Sequence, residues 1–219
     1  MARAPAGRLH RRCAGRHAAG LRTRLLPRRG ACAGRPAVKL WLVRHARTTA
    51  REGLCYGRTD VVADPAQTQE AAARLHSQLP PSVRVRCSPA SRCRVLADAM
   101  ARHRPGLAIT IDPALREMDF GTWENRLWDD IGEAAMSQWT ADFAGHRPGG
   151  GENVREMLAR VSQALNEERA LGEAAVWVTH AGVIRAARLC LAGATEIRSA
   201  MDWPSTPAPF GAGEPHEVF

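Results

Sequence analysis

The chain has 219 residues, 31 Lys+Arg against 22 Asp+Glu, a formal net charge of +9 and 45% hydrophobic residues. That length fits one domain of ordinary size or at most two small ones. The apolar share excludes full disorder, and no apolar run approaches the ~18 residues a membrane helix needs. The charge is a property of one end: residues 1–37 hold ten Arg and no acid, and the rest sets 21 basic against 22 acidic side chains, which argues against a nucleic-acid-binding domain.

Residues 1–37 are rich in Arg, Ala, Gly and Pro. They lack the 7–15-residue apolar core of a secretory signal, and they read as a disordered or mis-called extension. A tether to an anionic partner, nucleic acid included, and a targeting segment are the alternatives. The six cysteines, Cys13, Cys32, Cys55, Cys87, Cys93 and Cys190, form no CxxC pair and no zinc-type cluster with histidine. They read as reduced thiols in a cytoplasmic protein, with no metal site.

Residues 38–202 read as the folded domain. Val38–Val43 is a short apolar run, mostly β-formers, and predicts a buried strand. Gln67–Leu79 is Ala-rich with helical spacing. Val83–Cys87 alternates with Arg84 and Arg86 and predicts a second strand, followed by a helix over Arg92–Arg102. Leu107–Ile111 predicts a third strand, closed by Asp112-Pro113. Leu127–Phe143 predicts one longer helix. Val154, Met157, Leu158, Val161 and Leu165 form an amphipathic stripe behind an Asn153/Glu156 capping box. Ala174–Val178 predicts a fourth strand and Val183–Leu191 a last helix. Residues 203–219, dense in Pro and Gly, read as irregular, with Glu217-Val218-Phe219 at most a short edge strand. Strands that alternate with helices and look buried on both faces predict an α/β fold: three layers, α/β/α, around a mostly parallel sheet.

In such sheets ligands bind beyond the carboxyl ends of the strands. The first strand is followed by Arg44-His45, the second by Ser88-Pro89-Ala90-Ser91-Arg92, and the fourth by Thr179-His180. Two imidazoles and two guanidiniums thus reach one edge of the sheet. Arginine forks pair bidentately with phosphate oxygens. A neutral imidazole among them can attack phosphorus, and the other groups stabilise the equatorial oxygens. A leaving alkoxide needs a proton, which a carboxylic acid with a raised pKa could supply. Glu117, after the third strand, is the nearest candidate, with Asp119 and Glu124 as alternatives. The scheme calls for no metal or cofactor.

Leu42-Val43-Arg44-His45-Ala46-Arg47-Thr48 resembles the R-H-G-x-T signature of the histidine phosphatase superfamily, phosphoglycerate-mutase-like branch. Ser88 through Cys93 resembles its S-P-x-x-R block, Glu117 through Glu124 its E-x-x-F-G-x-W-E segment, and Thr179 through Arg185 its closing T-H-x-G block. The resemblance covers about Val38 to Gly193. It implies Arg44 and Arg92 as phosphate clamps, His45 as the phosphorylated nucleophile, His180 as the second imidazole and Glu117 as proton donor. It places Arg51, Tyr56, Gly57 and Arg58 at the substrate, although Arg51 stands where many members have Asn. Tyr56 is equally readable as packing, and Trp123 and Trp128 as mouth or core. Leu54 through Asp60 is most similar to the α-ribazole-phosphate phosphatases of cobalamin nucleotide-loop assembly. The expected activity is a metal-independent phosphomonoesterase with a small-molecule substrate. A mutase-like or broad sugar-phosphate phosphatase is the second reading, and a degenerate fold with a nucleic-acid-binding tail the third.

Overall fold

The computed structural model describes residues 38–194 and 196–218. The Arg-rich stretch 1–37, with Cys13 and Cys32, and the terminal Phe219 lie outside the described residues. Among the described residues five strands form one sheet: β1 (Val38–Arg44), β2 (Arg84–Cys87), β3 (Ile109–Ile111), β4 (Ala175–Thr179) and β5 (Gly213–Val218). Their spatial order is β3-β2-β4-β1-β5. The first four are parallel and β5 runs antiparallel beside β1. The α/β, mostly parallel expectation holds.

Two helix pairs cover the faces. Helices α1 (Pro65–Gln78) and α2 (Ser91–His103) bury Ala71, Leu75, Leu96 and Met100 against Val43, Val85, Cys87, Val176 and Val178. The opposite face of the strands carries Leu40, Leu42, Ala175 and Trp177. There α5 (Val154–Leu171) and α6 (Ala181–Leu191) pack through Met157, Val161, Leu165, Val183 and Ile184. The whole predicted stripe of α5 is buried, its Asn153/Glu156 capping box is formed, and Gly172 ends the helix in the left-handed conformation. The alternation in β2 has a cause: Val85 and Cys87 face α2, while Arg84 and Arg86 turn to the other layer. There the fully buried Glu168 accepts hydrogen bonds from Arg84 (2.7 Å), Arg86 (3.1 Å) and the Trp177 indole (2.8 Å).

Two expectations need correction. Leu127–Phe143 is not one helix but two, α3 (Trp128–Ile131) and α4 (Glu133–Ala141). Gly132, with φ of +92°, breaks the run in a conformation that a residue with a Cβ adopts only under strain. Residues 203–219 are not irregular throughout, because Gly213–Val218 pairs with β1 from Val38↔Val218 to Val43↔Gly213. An edge strand buried on one side needs little apolar pattern of its own, and a ladder partner supplies the rest.

Candidate active site

The parallel register builds the site. Arg44 lies opposite Thr179 and Cys87 opposite Val178. The residues that follow, His45, His180 and Ser88, therefore leave the sheet side by side. The backbone N–H of His45 donates to Thr179 O (3.0 Å) and that of Ser88 to Val178 O (2.9 Å). The His45 and His180 rings meet edge to face at 5.3 Å. Helices α2 and α6 start here, and carboxylates from elsewhere meet their first turns: the Ser91 N–H donates to Asp60 (2.9 Å) and the Gly182 N–H to Glu117 (3.1 Å).

Both imidazoles are buried, His45 at 2% and His180 at 1% exposure. Burial, reinforced by the positive charges of Arg92 and Arg44, pushes the His45 pKa down to about 3. Burial and Arg92 likewise hold His180 well below its ordinary value. The Nδ1–H of His45 donates to the Ala46 carbonyl at 2.7 Å, which leaves Nε2 with a free lone pair. The His180 Nε2 lies 2.8 Å from the Ser88 hydroxyl.

Arg92 is fully buried. Its terminal nitrogens donate to the carbonyls of Thr59 (2.9 Å) and Gly57 (2.7 Å). Arg44 donates to Ala208 O (2.9 Å), and its guanidinium lies 3.5 Å from the Phe210 ring centroid. Gly211 N–H closes this strap on the carbonyls of Arg44 (3.0 Å) and His45 (3.1 Å). Glu117 accepts from Gly182 N–H at 3.1 Å. A Cβ at position 182 would come within 2.3 Å of the Glu117 carboxylate, so the glycine permits this approach.

Arg44, His45, Arg92, Glu117 and His180 line one cavity of about 550 Å³. Much of the remaining lining is apolar and aromatic: Phe120, Trp128, Trp139, Phe143, Met136 and Met157. Of the expected substrate contacts, Tyr56 lines the cavity, accepts from the Thr48 hydroxyl (3.2 Å) and lies under Arg92. Trp128 lines the cavity and also packs against the small cluster of Trp123, Cys55 and Ile131, of which Trp123 is core. Arg51 is exposed and does not join the cavity. Arg58 lies in a smaller polar hollow with Asp60, Arg116 and Asp119 on another side of Glu117. Gly57 acts through its backbone, tying Arg92 to Glu124. Glu124 does not offer a free acid. Its carboxylate accepts from the N–H groups of Gly57, Arg58, Thr59 and Phe120 and from the Thr59 hydroxyl. Burial would raise its pKa, but these hydrogen bonds hold it below the ordinary value.

Four contributors escaped the sequence reading. Ser88 opens the Ser-Pro block and Arg185 closes the His180 block, so both carry a signal. Trp139 sat in a predicted helix, and Phe210, in a Pro/Gly-rich stretch, had none.

The model of the histidine phosphatase superfamily (branch 1) matches residues 40–205. An Escherichia coli K-12 crystal structure, provisionally assigned as an alpha-ribazole-5′-P phosphatase, is 30% identical with a TM-score of 0.64. The match covers 72% of this chain and 80% of that one. The mycobacterial glucosyl-3-phosphoglycerate phosphatase is 25% identical with a TM-score of 0.62, over 71% and 79%. TTHB049 from Thermus thermophilus is 34% identical with a TM-score of 0.56, over 68% and 82%. No curated protein matches the chain. The chain belongs to the histidine phosphatase superfamily and is a phosphatase.

Proposed function

For this member of the histidine phosphatase superfamily, we propose a metal-independent phosphomonoester hydrolase that works through phospho-His45. Its substrate in this reading is α-ribazole 5′-phosphate, cleaved in the cytoplasm during cobalamin nucleotide-loop assembly. The observation that carries the chemistry is the 2.7 Å hydrogen bond from His45 Nδ1 to Ala46 O in a neutral, buried ring. It aims an unprotonated Nε2 into a cavity walled by guanidiniums. In the first step Nε2 attacks phosphorus, the ester P–O bond breaks, and Glu117 passes its proton to the leaving oxygen. In the second, Glu117 takes a proton from water, the hydroxide oxygen bonds to phosphorus, and the P–N bond breaks to release phosphate. Arg44, Arg92 and His180 stabilise the charge on the equatorial oxygens in both.

The substrate assignment is supported by the aromatic lining of the cavity, suited to a planar base, and by the likeness to the E. coli protein. The likeness to the glucosyl-3-phosphoglycerate phosphatase supports a sugar-phosphate substrate as the second reading. One experiment tests both levels. The purified protein is given α-ribazole 5′-phosphate, glucosyl-3-phosphoglycerate and 3-phosphoglycerate, and His45→Ala is run beside it. The expected result is release of phosphate from the ribazole ester at the highest kcat/KM, an acid-labile phosphoenzyme in the wild type, and a loss of about 1,000-fold or more in His45→Ala. A preference for the glucosyl ester would displace the ribazole assignment alone. A His45→Ala protein with a few per cent of wild-type rate would refute the nucleophile.

A further inference from the structure

Among the described residues, buried side-chain nitrogens without a hydrogen-bond partner occur at Arg44, Arg84, Arg92, Trp139 and Arg185. Arg84 is ion-paired with Glu168 and Glu173. The other four residues all line the catalytic cavity, and all four atoms are donors. Arg44 and Arg92 belong to the phosphoryl end. Arg185 and Trp139 need another explanation.

Arg185 sits on the second turn of α6, and helical side chains lean toward the N-terminus of their helix. That direction carries its guanidinium toward the cavity it lines. Among the described residues it has no hydrogen bond and no ion pair, although it is half-buried and its charge bears on Arg44. Charge balance makes it surplus. A phosphoryl dianion is matched by Arg44 and Arg92. A half-buried cation is then left uncompensated, and on the same cavity the Trp139 indole N–H is cut off from water. Nature seldom leaves such groups unmatched in a finished complex. Both residues line the same cavity as Phe143, Met157 and Trp203, where the alcohol part of a substrate would lie.

We propose that Arg185, aided by the Trp139 indole N–H, binds a hydrogen-bond acceptor carried by the leaving alcohol, such as a base nitrogen or a carboxylate, and so selects among phosphomonoesters. The inference rests on the hydrolase reading and deepens it. The substrate class it names is an ester whose alcohol joins an apolar or planar body to an acceptor oxygen or nitrogen, which rules out plain alkyl or aryl phosphates as preferred substrates.

Phenyl phosphate and 4-carboxyphenyl phosphate test it, because they differ only in the acceptor. The ratio of their kcat/KM values is measured in the wild type, Arg185→Met, Arg185→Lys and Trp139→Phe, with inhibition by inorganic phosphate alongside. Leaving-group acidity cancels when variants are compared on the same pair. The expected result is a ratio that falls about ten-fold or more in Arg185→Met, recovers in part in Arg185→Lys, and falls about three-fold in Trp139→Phe. Equal losses on both esters with weaker phosphate inhibition would make Arg185 a phosphoryl clamp and overturn the inference, and so would an unchanged ratio in Arg185→Met. A wild type that releases phosphate from α-ribazole 5′-phosphate but hydrolyses neither aryl ester would overturn this inference alone, whereas one that hydrolyses none of the three fails at the hydrolase reading.

Discussion

Glu117 shows how little of a residue's role is local. Its carboxylate is placed by the backbone N–H of Gly182, at the start of α6, from a segment 65 residues away in sequence. Only a glycine leaves room for that approach. If Glu117 supplies the leaving-group proton, its loss hurts in proportion to the basicity of the leaving oxygen. Glu117→Gln is therefore expected to lower kcat on an alkyl phosphate by about 100-fold or more, and on p-nitrophenyl phosphate by less than about ten-fold. Steady-state kinetics on the two esters decides, and equal losses would count against Glu117 as the acid. The neighbouring Glu124 looks similar in sequence yet has a different task. Its oxygens are filled by donors of the 57–59 and 120 backbone, so it holds a loop and has no lone pair to spare for chemistry.

At the scale of elements, the site depends on loops that the sheet does not hold. Arg92 stands on the carbonyls of Gly57 and Thr59, and those two residues hang from Glu124. The contact between the 57–59 turn and the 118–124 segment is close: a Cβ at Gly57 would fall 1.8 Å from Met118 O. Glu124→Ala leaves four N–H donors short of their acceptor. It is expected to destabilise the fold by about 2–4 kcal/mol and to weaken inhibition by inorganic phosphate about ten-fold, since Arg92 loses its platform. Urea unfolding and phosphate inhibition together check this. Stability lost with inhibition intact would show that Arg92 is held some other way. The break at Gly132 belongs to the same scale. Were Leu127–Phe143 one straight helix, Trp128 and Trp139 could not stack at 6.4 Å and 13° across the two short helices.

For the molecule as a whole, the site is an electrostatic burden on the fold. Two imidazoles are buried neutral beside buried guanidiniums. Above pH 6.5 neither the folded nor the unfolded chain protonates them, so they leave stability unchanged. As pH falls from 6.5 toward the folded value of about 3 for His45, the unfolded chain takes up protons that the folded protein refuses. Each such group lowers stability by up to ~1.4 kcal/mol per pH unit. The stability of phosphate-free protein is thus expected to drop steeply between pH 6 and pH 4. His45→Gln should make that limb shallower by roughly the same ~1.4 kcal/mol per unit. Urea denaturation across the pH series measures it, and a variant as steep as the wild type would sink the argument. Elsewhere the chain manages its edges conservatively. Strand β5 covers the open side of β1, and the stretch before it delivers Ala208, Phe210 and Gly211 to Arg44 and His45.

The order of the first four strands and the helices that cover them, the buried character of β1 and β4, the stripe and cap of α5, and the delivery of Arg44, His45, Arg92 and His180 to one sheet edge were all readable in the amino-acid sequence. Those features follow from short-range rules: periodicity, capping and the position of a residue just past a strand. The family resemblance rested on the same local blocks. The strand identity of Gly213–Val218, the division of Glu117 from Glu124, the exclusion of Arg51 from the cavity and the recruitment of Arg185, Trp139 and Phe210 came only from the tertiary structure. Each depends on which distant backbone fills a hydrogen bond or leaves one unfilled. That is settled by the packing of the sheet with its covering helices and loops, which no single stretch of chain encodes by itself.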